Sequence, residues 1–106
     1  MNAKEELLMT LQQTDNLNNV KCVYIYKETD FYNISNIAVL KLGYSEEDWQ
    51  KFLEALDFTY DHGYGSQELF GNVWFKDGSW LSRAEYDGSE WWNHSTCPEI
   101  PEECLQ

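Results

Sequence analysis

The chain has 106 residues, of which 42% are hydrophobic and 16% are aromatic. That size predicts one domain, and the aromatic share excludes a disordered acidic tail. Nineteen acidic residues outnumber seven basic ones, for a formal net charge of −12, which disfavours direct binding to nucleic acid because phosphate contacts need lysine and arginine.

The amino-terminal residues lack the basic start and apolar run of a secretory signal, and no apolar run is long enough to span a membrane. The three cysteines, Cys22, Cys97 and Cys104, are an odd number. Free thiols in a reducing compartment fit this count best. These features predict a cytoplasmic protein without membrane association.

The first half of the chain predicts one helix and two strands. Leucines at helical spacing and early acidic residues predict a helix over residues 3–13. The segment VKCVYIY, residues 20–26, alternates and is rich in β-branched and aromatic residues, as strands are. A second strand is predicted over residues 37–44, antiparallel to the first because the connection is short.

A second helix is predicted from the segment SEEDWQKFLEALDF. Ser45 is a natural N-cap, and three acidic residues follow it in the first turn, where the helix dipole favours negative charge. Trp49, Phe52, Leu53 and Leu56 form an apolar stripe at helical spacing.

The last third predicts a three-stranded meander, because two Asp-Gly pairs separate three strand-like segments. A two-residue first turn would pair Phe75 with Trp80 and Trp74 with Leu81, which predicts that Trp74 and Trp80 pack within the protein. The order is α-β-β-α-β-β-β. We therefore predict an α+β fold, a single domain over residues 1–106, with about five antiparallel strands packed by two helices and a short acidic tail over residues 98–106.

The end of the second predicted hairpin concentrates acidic residues. If Asp87 and Gly88 alone form the turn, Glu85 faces Glu90; a three-residue loop would set Glu90 against Tyr86 instead. Like charges directly opposite each other are unfavourable, and such a local conflict often marks a functional place. A solvated hairpin tip is the plainer interpretation.

Trp91 and Trp92 are adjacent, so they point to opposite faces of their strand. One of them is therefore expected to be partly exposed, and the sequence does not decide which. Tryptophan is enriched among the residues that anchor protein interfaces.

Metal binding and catalysis find little support. His62, His94, Cys97 and Cys104 include a single two-residue spacer, whereas zinc sites usually show two paired motifs. No spacing selects a pair of catalytic carboxylates. We predict no metal, no cofactor and no enzymatic activity.

The run from GYSEEDWQKFLEALDF through GYGSQELFG to VWFKDGSWLSRAEYDGSEWW and PEIPEE resembles a type of small acidic protein found in phages, prophages and plasmids of enteric bacteria. The resemblance covers about residues 43–103 and implies no catalytic residues. In size and charge the chain is also similar to anti-restriction and anti-CRISPR inhibitors, several of which imitate the charge of DNA.

These features predict an inhibitor that docks on the basic groove of a nucleic-acid-binding defence protein, such as a nuclease or a CRISPR or restriction effector. An immunity or antitoxin protein against one basic toxin is the first alternative, and a non-catalytic scaffold domain is the second. A homodimer is compatible with each. The residues predicted to contact the partner are Glu47, Glu54, Asp57, Asp61, Glu85, Asp87, Glu90, Trp91 and Trp92.

Overall fold

The computed structural model describes residues 2–28, 34–60, 67–86, 89–98 and 101–104. It confirms the predicted α+β fold and the predicted order of helices and strands. In chain order the elements are α1 (Ala3–Gln13), β1 (Val20–Glu28), β2 (Ile34–Leu40), α2 (Glu46–Ala55), β3 (Leu69–Phe75), β4 (Trp80–Tyr86), β5 (Ser89–Ser95) and a 3-10 turn (Glu102–Cys104).

The five strands form one antiparallel sheet in the order β2-β1-β3-β4-β5. β1 lies between β2 and β3, so the long connection through α2 returns the chain to the free side of β1. The register of β1 against β3 shifts between Val20 and Cys22, which puts Val20 and Val23 on the same face.

The core lies on one face of this sheet, and both helices pack against it. Apolar side chains of α1 and α2 form a single cluster with the inward-facing residues of all five strands. Its largest fully buried side chains include Leu7, Leu11, Ile25, Leu56, Leu69, Phe75 and Leu81. The opposite face of the sheet receives neither helix.

The predicted second strand is displaced. β2 spans Ile34–Leu40, whereas residues 37–44 were expected. The strand ends where Leu42 and Gly43 turn, and Gly43 has a φ of 74°, which favours glycine.

No helix in the described parts of the chain is both long and apolar enough to cross a membrane.

The first hairpin of the meander has a different register from the predicted one. Trp74 pairs with Trp80, because Lys76, Asp77 and Gly78 form a three-residue loop closed by the Phe75 N–H donating to the Ser79 carbonyl at 2.9 Å. Asp77 accepts the Ser79 N–H, and Gly78 has a φ of 90°. A shift of one residue moves side chains to the other face. The predicted internal packing of Trp74 is therefore wrong, because its side chain is exposed; Trp80 lies on the same side of the sheet and is half-buried.

The second hairpin has the first of the two predicted registers. Tyr86 pairs with Ser89, Glu85 with Glu90 and Ala84 with Trp91. This pairing places Glu90 on the core side of the sheet and Trp91 on the helix-free side.

Ser45 is the N-cap of α2, as predicted, and it forms a capping box with Asp48. The Ser45 hydroxyl accepts the Asp48 N–H at 3.2 Å, and the Asp48 carboxylate accepts the Ser45 N–H at 3.0 Å. The backbone N–H of Ser45, and to a lesser extent its side chain, hold the pKa of the Asp48 carboxyl below its ordinary value of 3.8. The stability that they add is therefore present above that value and is lost as the pH falls through the lower pKa of the folded protein.

We expect Ser45→Ala to lower the free energy of unfolding by about 1 kcal/mol at neutral pH, because the Asp48 N–H loses its acceptor. Urea unfolding followed by circular dichroism measures the change. Ser89→Ala, at the exposed start of β5, is a control expected to change stability by less than about 0.5 kcal/mol. Equal effects of the two substitutions would contradict the capping role.

Candidate protein-binding surface

One member of the predicted acidic cluster at the second hairpin, Glu90, is buried. The side chain of Glu90 is 0% exposed and accepts the backbone N–H groups of Glu68 and Leu69 at 2.7 and 3.1 Å. It also accepts the Arg83 guanidinium at 3.1 Å. The prediction that Glu90 contacts a partner is therefore wrong, since its oxygens are occupied inside the protein.

Arg83 is the centre of a buried polar network. Its side chain is 2% exposed and pairs with Glu6 at 2.6 Å as well as with Glu90. The Tyr60 hydroxyl donates to Glu6 at 2.6 Å and accepts from Arg83. The guanidinium carbon lies 5.0 Å from the centre of the Trp92 ring. Burial is the main cause that raises the pKa of Tyr60, and the hydrogen bond to Glu6 raises it further.

This network connects parts of the chain that are far apart in sequence: α1 through Glu6, the segment before β3 through the backbone of Glu68, β4 through Arg83 and β5 through Glu90. Its charged groups are withdrawn from solvent, so its geometry supports a structural role. The sequence does carry one indication of it, because Arg83 occupies an inward position two residues after Leu81.

Trp91 is the exposed member of the tryptophan pair. It is 43% exposed, whereas Trp92 is 8% exposed and belongs to the core. The alternation of β5 explains the difference, because Trp92 pairs with Arg83 on the inward face. Trp91 remains a predicted contact, and Trp92 does not because it packs inside.

The predicted contacts near the second helix are exposed, and two of them have basic neighbours. Glu47 pairs with Lys51 at 3.4 Å, and Asp57 pairs with Lys4 at 3.6 Å. The pKa of Asp57 lies below its ordinary value, mainly because the Asn2 amide donates to it at 2.8 Å and also because Lys4 is near. Glu54 and Glu85 are exposed as well. Asp61 and Asp87 lie outside the described residues.

These acidic residues and Trp91 do not form one surface. Glu47 and Glu54 belong to α2, which packs on the core side of the sheet, whereas Trp91 points away from that side. A single partner surface of ordinary size would have to reach around the sheet to contact both. The structure thus divides the predicted site between two sides of the molecule.

The helix-free side of the sheet carries seven aromatic rings, which we call the aromatic face. Two aromatic pairs lie across the strands, Tyr26 opposite Phe70 and Trp74 opposite Trp80. On the last two strands, Trp91 lies opposite Ala84 and Tyr86 opposite Ser89. The aromatic face consists of Tyr24, Tyr26, Phe70, Trp74, Trp80, Tyr86 and Trp91. The predicted register hid it, because that register placed Trp74 opposite the core residue Leu81.

The aromatic face is exposed and uncharged. Tyr24 is 42%, Trp74 41%, Trp91 43% and Tyr86 77% exposed. Within residues 22–26, 70–74, 80–86 and 89–95, every residue that points to this side is uncharged. Exposed aromatic side chains grouped on one side of a sheet are typical of interaction sites in soluble proteins. Its neutrality contrasts with the net charge of −12 of the whole chain.

Ring contacts hold part of the aromatic face in place. Tyr26 stacks on Phe70 with ring centres 5.4 Å apart and planes 10° apart, and Tyr24 meets Tyr26 edge-on at 5.8 Å. Rings ordered before binding lose little conformational entropy when a partner arrives. This arrangement favours tight, specific contact.

Among the described residues, no group of three or more histidine, cysteine, aspartate or glutamate side chains could hold a metal ion. The three cysteines are free thiols. No protein-family model, no curated protein and no solved structure matches the chain.

Proposed function

We propose that this chain is a non-catalytic protein that captures one basic partner protein on its aromatic face and blocks it, as an immunity or antitoxin protein does. The observation that carries the proposal is an exposed, uncharged aromatic sheet face on a protein of net charge −12. Tryptophan and tyrosine dominate the few residues that provide most of the binding energy at interfaces.

The surrounding charge has a separate role in this proposal. Long-range attraction between an acidic protein and a basic partner accelerates their encounter and makes it sensitive to salt. Short-range contacts with the aromatic rings then determine how long the complex lasts. The charge also argues against a second copy of the chain as the occupant, because two proteins of net charge −12 repel each other.

The second candidate is the groove-binding inhibitor that imitates DNA, acting on a nucleic-acid-binding defence protein. The exposed acidic residues of the α2 region favour it, and they are Glu46, Glu47, Asp48, Glu54 and Asp57. Two of these five already pair with lysines, and the hairpin contributes no Glu90 carboxylate. The anionic surface is therefore smaller than the sequence predicts.

Two triple variants distinguish these candidates. The aromatic variant carries Tyr24→Ser, Trp74→Ser and Trp91→Ser, and the acidic variant carries Glu47→Gln, Glu54→Gln and Asp57→Asn. The wild-type chain and both variants are used to capture proteins from a lysate of an enteric bacterium, and each protein that the wild-type chain captures is then purified for kinetic measurement. We expect one basic protein that is inhibited by the wild-type chain.

For that purified partner, the aromatic variant should raise the dissociation rate at least about 100-fold, because three anchoring side chains are lost. The acidic variant should lower the association rate by about tenfold or less and reduce its dependence on salt. The proposal is wrong if the aromatic variant binds normally. Capture of several nucleic-acid enzymes that only the acidic variant loses would establish the DNA-imitating inhibitor instead.

A further inference from the structure

The aromatic face contains a depression of about 390 Å³ over the middle of β1, β3 and β4. Four rings line it, those of Tyr24, Tyr26, Phe70 and Trp74. Asn72 and Ser82, which pair across β3 and β4, provide short polar side chains between the rings. The volume lies near the low end of the range for small-ligand sites, roughly 300–1,000 Å³.

Two polar side chains of the depression offer acceptor atoms to a guest, those of Asn72 and Ser82. One N–H of the Asn72 amide donates to the Leu81 carbonyl at 3.3 Å, which leaves the second N–H and the side-chain oxygen open. Neither that oxygen nor the Ser82 hydroxyl has a hydrogen-bond partner within the described parts of the chain. A guest that brings N–H donors would satisfy both atoms.

The electrostatic character of the depression also favours a guest whose N–H donors belong to a cation. Aromatic rings carry partial negative charge on their faces and attract ammonium and guanidinium groups. Arg83 contributes to the lining, but its side chain is 2% exposed and is paired with Glu6 and Glu90 on the opposite side of the sheet. It therefore offers no positive charge that would repel such a guest.

We infer that the depression is a binding site for an arginine side chain of the partner. The planar guanidinium stacks on the aromatic rings and donates to Asn72 and Ser82. Arginine fits better than lysine, because a planar group with five N–H donors can use rings and acceptors together. This inference rests on the proposed function only in that the arginine belongs to the partner protein.

A titration of the protein with N-acetyl-arginine-N-methylamide tests the inference. Binding is monitored by the NMR signals of the aromatic rings. We expect shifts concentrated on Tyr26, Phe70 and Trp74. The citrulline analogue, which has nearly the same shape without the charge, should bind about tenfold more weakly, and the lysine analogue should also bind more weakly. Trp74→Leu should weaken arginine binding about three- to tenfold. Trp91→Leu is the matched control for the arginine analogue only: Trp91 lies on the same face outside the depression, so its loss should weaken capture of the partner but leave the affinity for the free analogue unchanged.

Other results would overturn the inference. Equal binding of the citrulline and arginine analogues would show that charge is not recognised, and stronger binding of a leucine analogue or an oligosaccharide would assign the depression to a neutral guest. A dimer in sedimentation that Trp74→Leu dissociates would assign it to a second copy. If Trp74→Leu no longer captures the partner but the wild-type chain does not bind the arginine analogue, this inference is overturned and the proposed function stands. If the wild-type chain binds the arginine analogue but captures no partner, the proposed function is overturned and the arginine site stands.

Discussion

Replacing Arg83 with methionine is expected to lower the free energy of unfolding by about 3–5 kcal/mol. The guanidinium carries the positive charge that faces both Glu6 and Glu90, whose side chains are 8% and 0% exposed. Removing it leaves two buried carboxylates without a cation, and desolvated charges without a partner are strongly unfavourable. Urea unfolding at neutral pH measures the loss.

The matched control for this change is Lys51→Met. Lys51 also pairs with a glutamate, Glu47 at 3.4 Å, but both side chains are more than two thirds exposed. Solvent screens that pair, so its loss should cost less than about 0.5 kcal/mol. Adding Glu6→Leu to Arg83→Met should restore part of the stability, because it removes one of the stranded charges. Similar small effects of Arg83→Met and Lys51→Met would refute the structural role of the network.

Substitution of Gly71 by alanine is expected to cost about 3 kcal/mol or more, through strain and overpacking at one position. Gly71 has a φ of 138°, which side-chain-bearing residues rarely adopt. A Cβ atom there would lie 2.2 Å from the Tyr24 carbonyl oxygen and 2.8 Å from the Ile25 Cα. Both are backbone atoms of the neighbouring central strand, so they cannot move aside without separating β1 from β3.

Gly43→Ala separates the two causes of that loss. Gly43 also has a positive φ, 74°, but a Cβ atom there would meet nothing within 4 Å. Its substitution should therefore cost only the backbone preference, about 1–2 kcal/mol. Thermal and urea unfolding of both variants measure the difference. Equal stability losses at the two glycines would contradict the expected clash between a Cβ atom at Gly71 and the backbone of β1. Gly71→Ala should also weaken partner binding in any protein that remains folded, since Gly71 lies beneath the depression.

Much of the fold follows from local patterns. The Ser45 cap and the apolar stripe of α2 are local features, because capping bonds and helical periodicity span only a few residues. The position of the second hairpin followed in the same way from Asp87-Gly88 and the strands that flank it, but its register stayed open between two loop lengths. The register predicted for the first hairpin is wrong, because an Asp-Gly pair fits both a two-residue and a three-residue loop.

That single ambiguity concealed the candidate site. With the predicted register Trp74 faced Leu81 and packed inside, whereas the actual register sets it beside Trp80 on the open side of the sheet. The sequence also left open which of Trp91 and Trp92 is exposed. Strand alternation places two neighbouring residues on opposite faces, but it does not say which face the helices cover. Both outcomes depend on residues distant in sequence.

The sequence by itself determined the α+β class, the order of the elements, both helices and the net charge of −12, because composition and local periodicity are sufficient for these. Only the tertiary structure decided where the charge lies. It buried Glu6 and Glu90 against Arg83, kept Glu47 and Asp57 beside lysines, and left an uncharged aromatic sheet face. The physical reason is that burial and ion pairing join residues up to 77 positions apart, which no local pattern records.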